Sequence, residues 1–126
     1  MTVPTPILVG ANGLLECHYI PESDSVYSLK WYLGLHEFYR WTPAENPTVK
    51  IFPIHSAFQV DSKDSREGRV RIRNVTLSAE GTLRCEISGE APEFHTEFKD
   101  VDMTVVGESL AGYESIFPWS YIYIFI

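Results

Sequence analysis

No apolar run in this 126-residue chain reaches the roughly 20 residues that a bilayer-spanning helix needs. Positive charge is scarce too: Lys plus Arg number 10 against 17 Asp plus Glu, a formal charge of −7. A face that grips duplex nucleic acid or an anionic membrane needs the opposite balance, so neither partner is expected. There are only two cysteines and no CxxC pair, so thiolates cannot build a zinc ribbon or finger. The four histidines, His18, His36, His55 and His95, have no HxxxH-type spacing, and no metal site is expected. GxSxG, Walker and GxGxxG elements are missing as well. The chain is therefore not expected to be an enzyme or to carry a cofactor. Met1-Thr2-Val3-Pro4 lacks the charged and apolar regions of a secretory signal. With the cysteine argument below, the expectation is that this sequence starts downstream of its natural beginning.

What the sequence does contain is short β-rich runs punctuated by turn residues, with nothing that reads as a long amphipathic helix. Leu15, Cys17 and Tyr19 alternate onto one face. Residues 26–33 alternate again, with Leu29, Trp31 and Leu33 inward and Ser28, Lys30 and Tyr32 outward. Gly34-Leu35-His36 links them to residues 37–41, and a proline-containing stretch follows that is unsuited to a central strand. Further runs occupy 57–60, 69–75, 83–88 and 98–106. Apolar residues make up 44% of the chain, enough for one core. Eight or nine short strands with frequent turns predict an all-β sandwich.

Cys17, Trp31 and Cys85 specify which sandwich. In an immunoglobulin domain, cysteines on strands B and F bridge the two sheets and a Trp on strand C packs on the disulfide. The gap from Trp31 to Cys85 leaves room for the extra C′ and C″ strands of a variable-type domain, and Gly81 falls in the expected E–F turn. A Cys17–Cys85 bridge closes a loop worth about 4 kcal/mol in unfolded-chain entropy and places the domain in an oxidising, extracellular setting. Two framework positions depart: Leu83 stands where a tyrosine corner has its Tyr, and Ala79 where variable domains usually place an Asp.

The run Tyr27-Ser28-Leu29-Lys30-Trp31-Tyr32, then Glu37-Phe38-Tyr39-Arg40-Trp41-Thr42-Pro43, is more specific than the fold. With Phe52-Pro53, Val60-Asp61 and the stretch from Arg84 to Phe94, it resembles the first immunoglobulin domain of the insect Beaten path family. The resemblance spans residues 3–106, which are read as the domain. It implies a secreted or cell-surface protein of neurons that binds Sidestep-type transmembrane immunoglobulin receptors in axon guidance. Family members usually carry a second immunoglobulin domain, which this sequence does not include.

The predicted contact surface is the sheet of strands C, C′, F and G: Lys30, Tyr32, Phe38, Tyr39, Arg40 and Trp41, with Arg84 and Glu86 flanking Cys85. Strict alternation would place Phe38 and Arg40 on one side of C′ and Glu37, Tyr39 and Trp41 on the other. Alternative readings are homophilic pairing through the same face, giving a homodimer, and a non-binding structural module of a truncated protein. Arg69, Arg71 and Arg73 alternate along strand E, with Lys63 and Arg66 upstream; the stripe is read as a solvated face, and sulfated glycosaminoglycan is the other reading. Asn74-Val75-Thr76 is an N-glycosylation sequon, with Asn74 expected to point outward. The apolar, charge-free end of the chain, within 107–126, is read as an aberrant C-terminus outside the fold and an aggregation hazard.

Overall fold

Period-2 burial along the strands divides the chain between two packed sheets. The computed structural model describes residues 6–19, 26–90, 95–107 and, for the backbone alone, 119–125. The start of the 3–106 span, residues 91–94 of the family-like stretch and most of the tail lie outside the described residues. The strands are β1 (Ile7–Leu8), β2 (Asn12–His18), β3 (Val26–Leu33), β4 (His36–Trp41), β5 (Val49–Ile51), β6 (Gln59–Val60), β7 (Arg69–Arg73), β8 (Gly81–Gly89), β9 (Thr96–Met103), β10 (Val105–Val106) and β11 (Trp119–Phe125). A single 3-10 turn, Leu77–Ala79, joins β7 to β8, with the Thr76 hydroxyl accepting the Ser78 N–H at its start.

One sheet has the order β5-β4-β3-β8-β9, the other β11-β2-β7-β6, and β1 pairs in parallel with β10. Strands β3, β4, β8 and β9 are thus the expected C, C′, F and G, β5 adds C″, and β2 and β7 are B and E. The core between the sheets holds Leu15, Leu29, Trp31, Ile72, Leu83 and Val101 among others. Among the residues whose side chains are described, every core member lies between Ile7 and Val105. Cys17 and Cys85 are joined by a disulfide across the sandwich, and Trp31, beside Cys85 in register, is fully buried.

Residues 66–68, the turn entering β7, tie the sheets together. The Gly68 carbonyl accepts both the Trp31 indole N–H and the Cys17 N–H, each at 3.1 Å. One residue earlier, the Glu67 carbonyl accepts the Tyr39 hydroxyl at 2.8 Å. A Cβ at Gly68 would stand 2.6 Å from the Cys17 carbonyl oxygen, so only glycine lets the chain pass this close. Ala79 and Leu83, which lack the usual polar groups, are both fully buried. Glu80 anchors that end instead, accepting the Val105 N–H.

Residues 119–125 run parallel to β2, from Trp119 opposite Asn12 to Phe125 opposite His18. The outer edge of β2 presents unpaired backbone N–H and C=O groups, and a β-prone run without charges satisfies them.

Candidate functional site

Residues paired directly across an antiparallel sheet point to the same side, so the register of the five-stranded sheet defines its outer surface. One row crosses it as Lys50, Arg40, Lys30, Glu86, Phe98. A second runs Glu37, Tyr32, Arg84, Asp100. Both rows mix signs, and short contacts fix their side chains. Arg84 donates to both Asp100 oxygens, at 2.6 and 3.0 Å, while its guanidinium lies 4.0 Å from the centre of the Phe98 ring. Arg40 donates to both Glu37 oxygens, at 2.8 and 3.1 Å, and lies 5.4 Å from the Phe52 ring centre. Lys30 completes the cluster 3.8 Å from Glu37. The bidentate Arg84–Asp100 pair, the shared Arg40 Nη2 contact with Glu37, and the neighbouring rings hold the arginines at less entropic cost on binding than free side chains would pay.

The same contacts govern protonation. Hydrogen bonding from Arg84 holds the Asp100 carboxyl below its ordinary range, and Asp100 in turn raises Arg84. Burial, then the charges of Glu86 and Glu37, push the Tyr32 phenol up, so it remains a neutral donor and acceptor at physiological pH.

Five of the eight sequence-predicted contacts lie on this surface: Lys30, Tyr32, Arg40, Arg84 and Glu86. The other three do not. Phe38 and Tyr39 are fully buried and Trp41 packs against the core. Tyr39 and Trp41 alternate inward opposite Trp31 and Leu29, and Phe38 joins them through a bulge in the β3–β4 pairing, where Trp31 faces Tyr39 but Tyr32 faces Glu37. Phe38 is the extra residue, so Phe38 and Tyr39 both turn inward while Glu37 and Arg40 both turn outward. Phe38 meets Phe58 edge-on at 5.0 Å, and burial followed by the Glu67 charge pushes the Tyr39 phenol far above its usual range.

Glu37, Phe98 and Asp100, which are not among the predicted contacts, also lie on this surface. Phe98 is 54% exposed. Its signal was present: it is out of phase with the inward Val101 and Met103 of β9.

The profile of the immunoglobulin V-set domain matches residues 3–106. The chain belongs to the immunoglobulin V-set family. Domains of this family are cell-surface recognition and adhesion modules. Among solved structures, the V domain of amphioxus IgVJ-C2 is 17% identical, with a TM-score of 0.61 over 80% of this chain and 98% of that one. Murine CEACAM1b is 22% identical, with a TM-score of 0.59 over 82% of this chain and 51% of that one. Tim-2 is 20% identical, with a TM-score of 0.57 over 82% and 98%. These likenesses establish the shared fold. No curated protein sequence matches the chain.

Asn74 is exposed at the end of β7, with Ile72 and Val75 buried on either side of it in the chain. His18 lies 2.9 Å from Glu16 and His95 2.9 Å from Glu97, and among the described residues no group of three or more metal-binding side chains gathers.

Proposed function

We propose that this V-set domain works outside the cell as a recognition module that binds an immunoglobulin receptor of the Sidestep type, in axon guidance and neuronal adhesion. The observation that carries this is the outer surface of the five-stranded sheet, where two rows of mixed charge frame Tyr32 and Phe98. Aromatic and Arg side chains held in place by neighbours are the usual anchors of protein interfaces. The Beaten path-like run from Glu37 to Trp41 contributes Glu37 and Arg40 to the same surface. Its other aromatics support the surface from beneath. The Cys17–Cys85 bridge suits the oxidising compartment that such a role requires. Exposed Asn74 is a glycosylation site in this reading, on the sheet away from the contact surface.

Homophilic pairing is the second reading. Adjacent opposite charges, such as Arg84 with Asp100 and Arg40 with Glu37, let one face meet a rotated copy of itself. Light scattering of the purified domain separates the two, since a monomer at micromolar concentration rules out a stable homodimer. Surface plasmon resonance against Sidestep-type ectodomains then tests the surface. Phe98→Ala and Arg84→Ala should each weaken binding by about tenfold or more, as interface anchors do. Arg71→Ala, on the opposite sheet, should leave it within about twofold. Each variant must first melt like the native domain. Loss of binding in Arg71→Ala with normal binding in both others would place the contact on the wrong sheet.

A further inference from the structure

We infer that the opposite sheet carries a separate site for a sulfated polysaccharide chain, centred on the groove between the 63–66 turn and β7. This groove has a volume of about 300 Å³ and is lined by Lys63, Asp64, Arg66, Arg69 and Arg71. Four cations thus line this groove with Asp64, in a chain whose net charge is −7, while Glu16 and Glu67 border the adjoining groove that shares Arg66 and Arg69. Among the described residues, Lys63 and Arg66 take part in no ion pair, and the Arg69–Glu16 contact is long, at 3.7 Å. Charges of one sign gathered this closely repel each other, and a bound polyanion relieves the repulsion.

The backbone beneath these cations is rigid. Arg73 donates to Asp61 Oδ2 at 2.8 and 3.0 Å, and Asp61 Oδ1 accepts the N–H groups of Lys63 and Asp64. Ser65, almost fully buried, donates its hydroxyl to the Asp61 carbonyl and accepts the Arg71 N–H. Arg66 and Arg69 exchange backbone hydrogen bonds, both 2.9 Å. Arg69 and Arg71 project from the same face of one strand, about 7 Å apart. The backbone positions that carry the cations are therefore held in place before any ligand arrives.

The chemistry of the lining selects the ligand class. All five residues are charged, with no aromatic surface to stack a base and no apolar pocket for a peptide side chain. Sulfate and carboxylate groups on a sugar chain need only what this groove supplies. Because β7 lies in the other sheet, the polysaccharide and a receptor on the β3–β8 surface can be held together.

Binding of the disulfide-bonded domain to immobilised heparin at about 0.15 M salt tests this. Arms with desulfated heparin, hyaluronan and poly-glutamate separate sulfate recognition from general anion capture. Heparin should retain the native protein and the other three should not. Arg66→Ala should weaken binding by about tenfold, the usual loss for a charge-assisted contact, and Lys63→Ala should act similarly. Lys99→Ala, an equal charge change at an exposed position of β9, should leave retention unchanged. Failure of the native protein to bind heparin overturns the inference. So does equal weakening by Lys99→Ala, or equal binding to poly-glutamate, which would make the groove an acidic-peptide surface.

Discussion

Replacing Gly68 by alanine should destabilise the domain by about 3–4 kcal/mol, far more than one methyl group suggests. The new Cβ would lie 2.6 Å from the Cys17 carbonyl oxygen, 3.1 Å from Leu29 Cδ1 and 3.3 Å from Cys17 Cβ. The first of these is backbone of β2 and sits beside the disulfide, so it cannot swing aside as a side-chain tip does. Overpacking of this kind costs about 1–3 kcal/mol. Relief by moving Gly68 away pulls its carbonyl from the Trp31 and Cys17 N–H groups. Each buried hydrogen bond lost adds about 1 kcal/mol. Gly13→Ala is the matched control, since its Cβ would meet only side-chain carbons, of Ile72 at 3.2 and 3.4 Å and of Ile7 at 3.5 Å. Those side chains can yield, and the cost should stay near 1 kcal/mol. Urea denaturation of both variants with the bridge intact gives the comparison, and thermal melting should place Gly68→Ala roughly 12 °C or more below native. Equal stabilities of the two variants would refute the role assigned to the 66–68 turn.

Reduction of the Cys17–Cys85 bridge should cost about 4 kcal/mol by loop-closure entropy, read as a shift in urea midpoint, and alkylation of unreduced native protein should label no thiol. Above pH 10 the unfolded chain ionises Tyr39 while the folded domain holds its phenol neutral, so stability is complete below that pH and falls as pH rises, by about 1.4 kcal/mol per unit for this one group. Tyr39→Phe keeps the ring buried and loses the bond to Glu67, so it should be about 1 kcal/mol weaker at neutral pH and show a flatter alkaline decline in pH-dependent melts. A protein ending at Gly107 should still unfold in one cooperative transition, because the core spans Ile7 to Val105; loss of cooperativity in calorimetry would make β11 part of the folding unit.

Alternation within a strand and the spacing of Cys17, Trp31 and Cys85 were legible without coordinates. Both are local properties of the chain, and a disulfide framework around a buried Trp admits few arrangements. Hence β3 came out with its inward Leu29 and Trp31 and outward Lys30 and Tyr32, and β7 with Val70 and Ile72 buried beneath its arginines. The fate of β4 was not legible. That Phe38 and Tyr39 both turn inward depends on a bulge, and a bulge belongs to the pairing of two strands rather than to either sequence. The cluster of Arg40 and Lys30 around Glu37 and the pairing of Arg84 with Asp100 follow likewise from inter-strand register, of β3 with β4 and of β8 with β9. So does Gly68, whose need for glycine arises only when the turn before β7 comes to rest against Cys17. The tail was read from its own composition as separate, and only the unpaired edge of β2 supplied the backbone partners for 119–125. Sequence alone determined which residues of β3 and β7 avoid water; the tertiary structure decided the inward residues of β4 and which polar and aromatic groups share a surface, because that requires knowing the neighbour across each pair of strands.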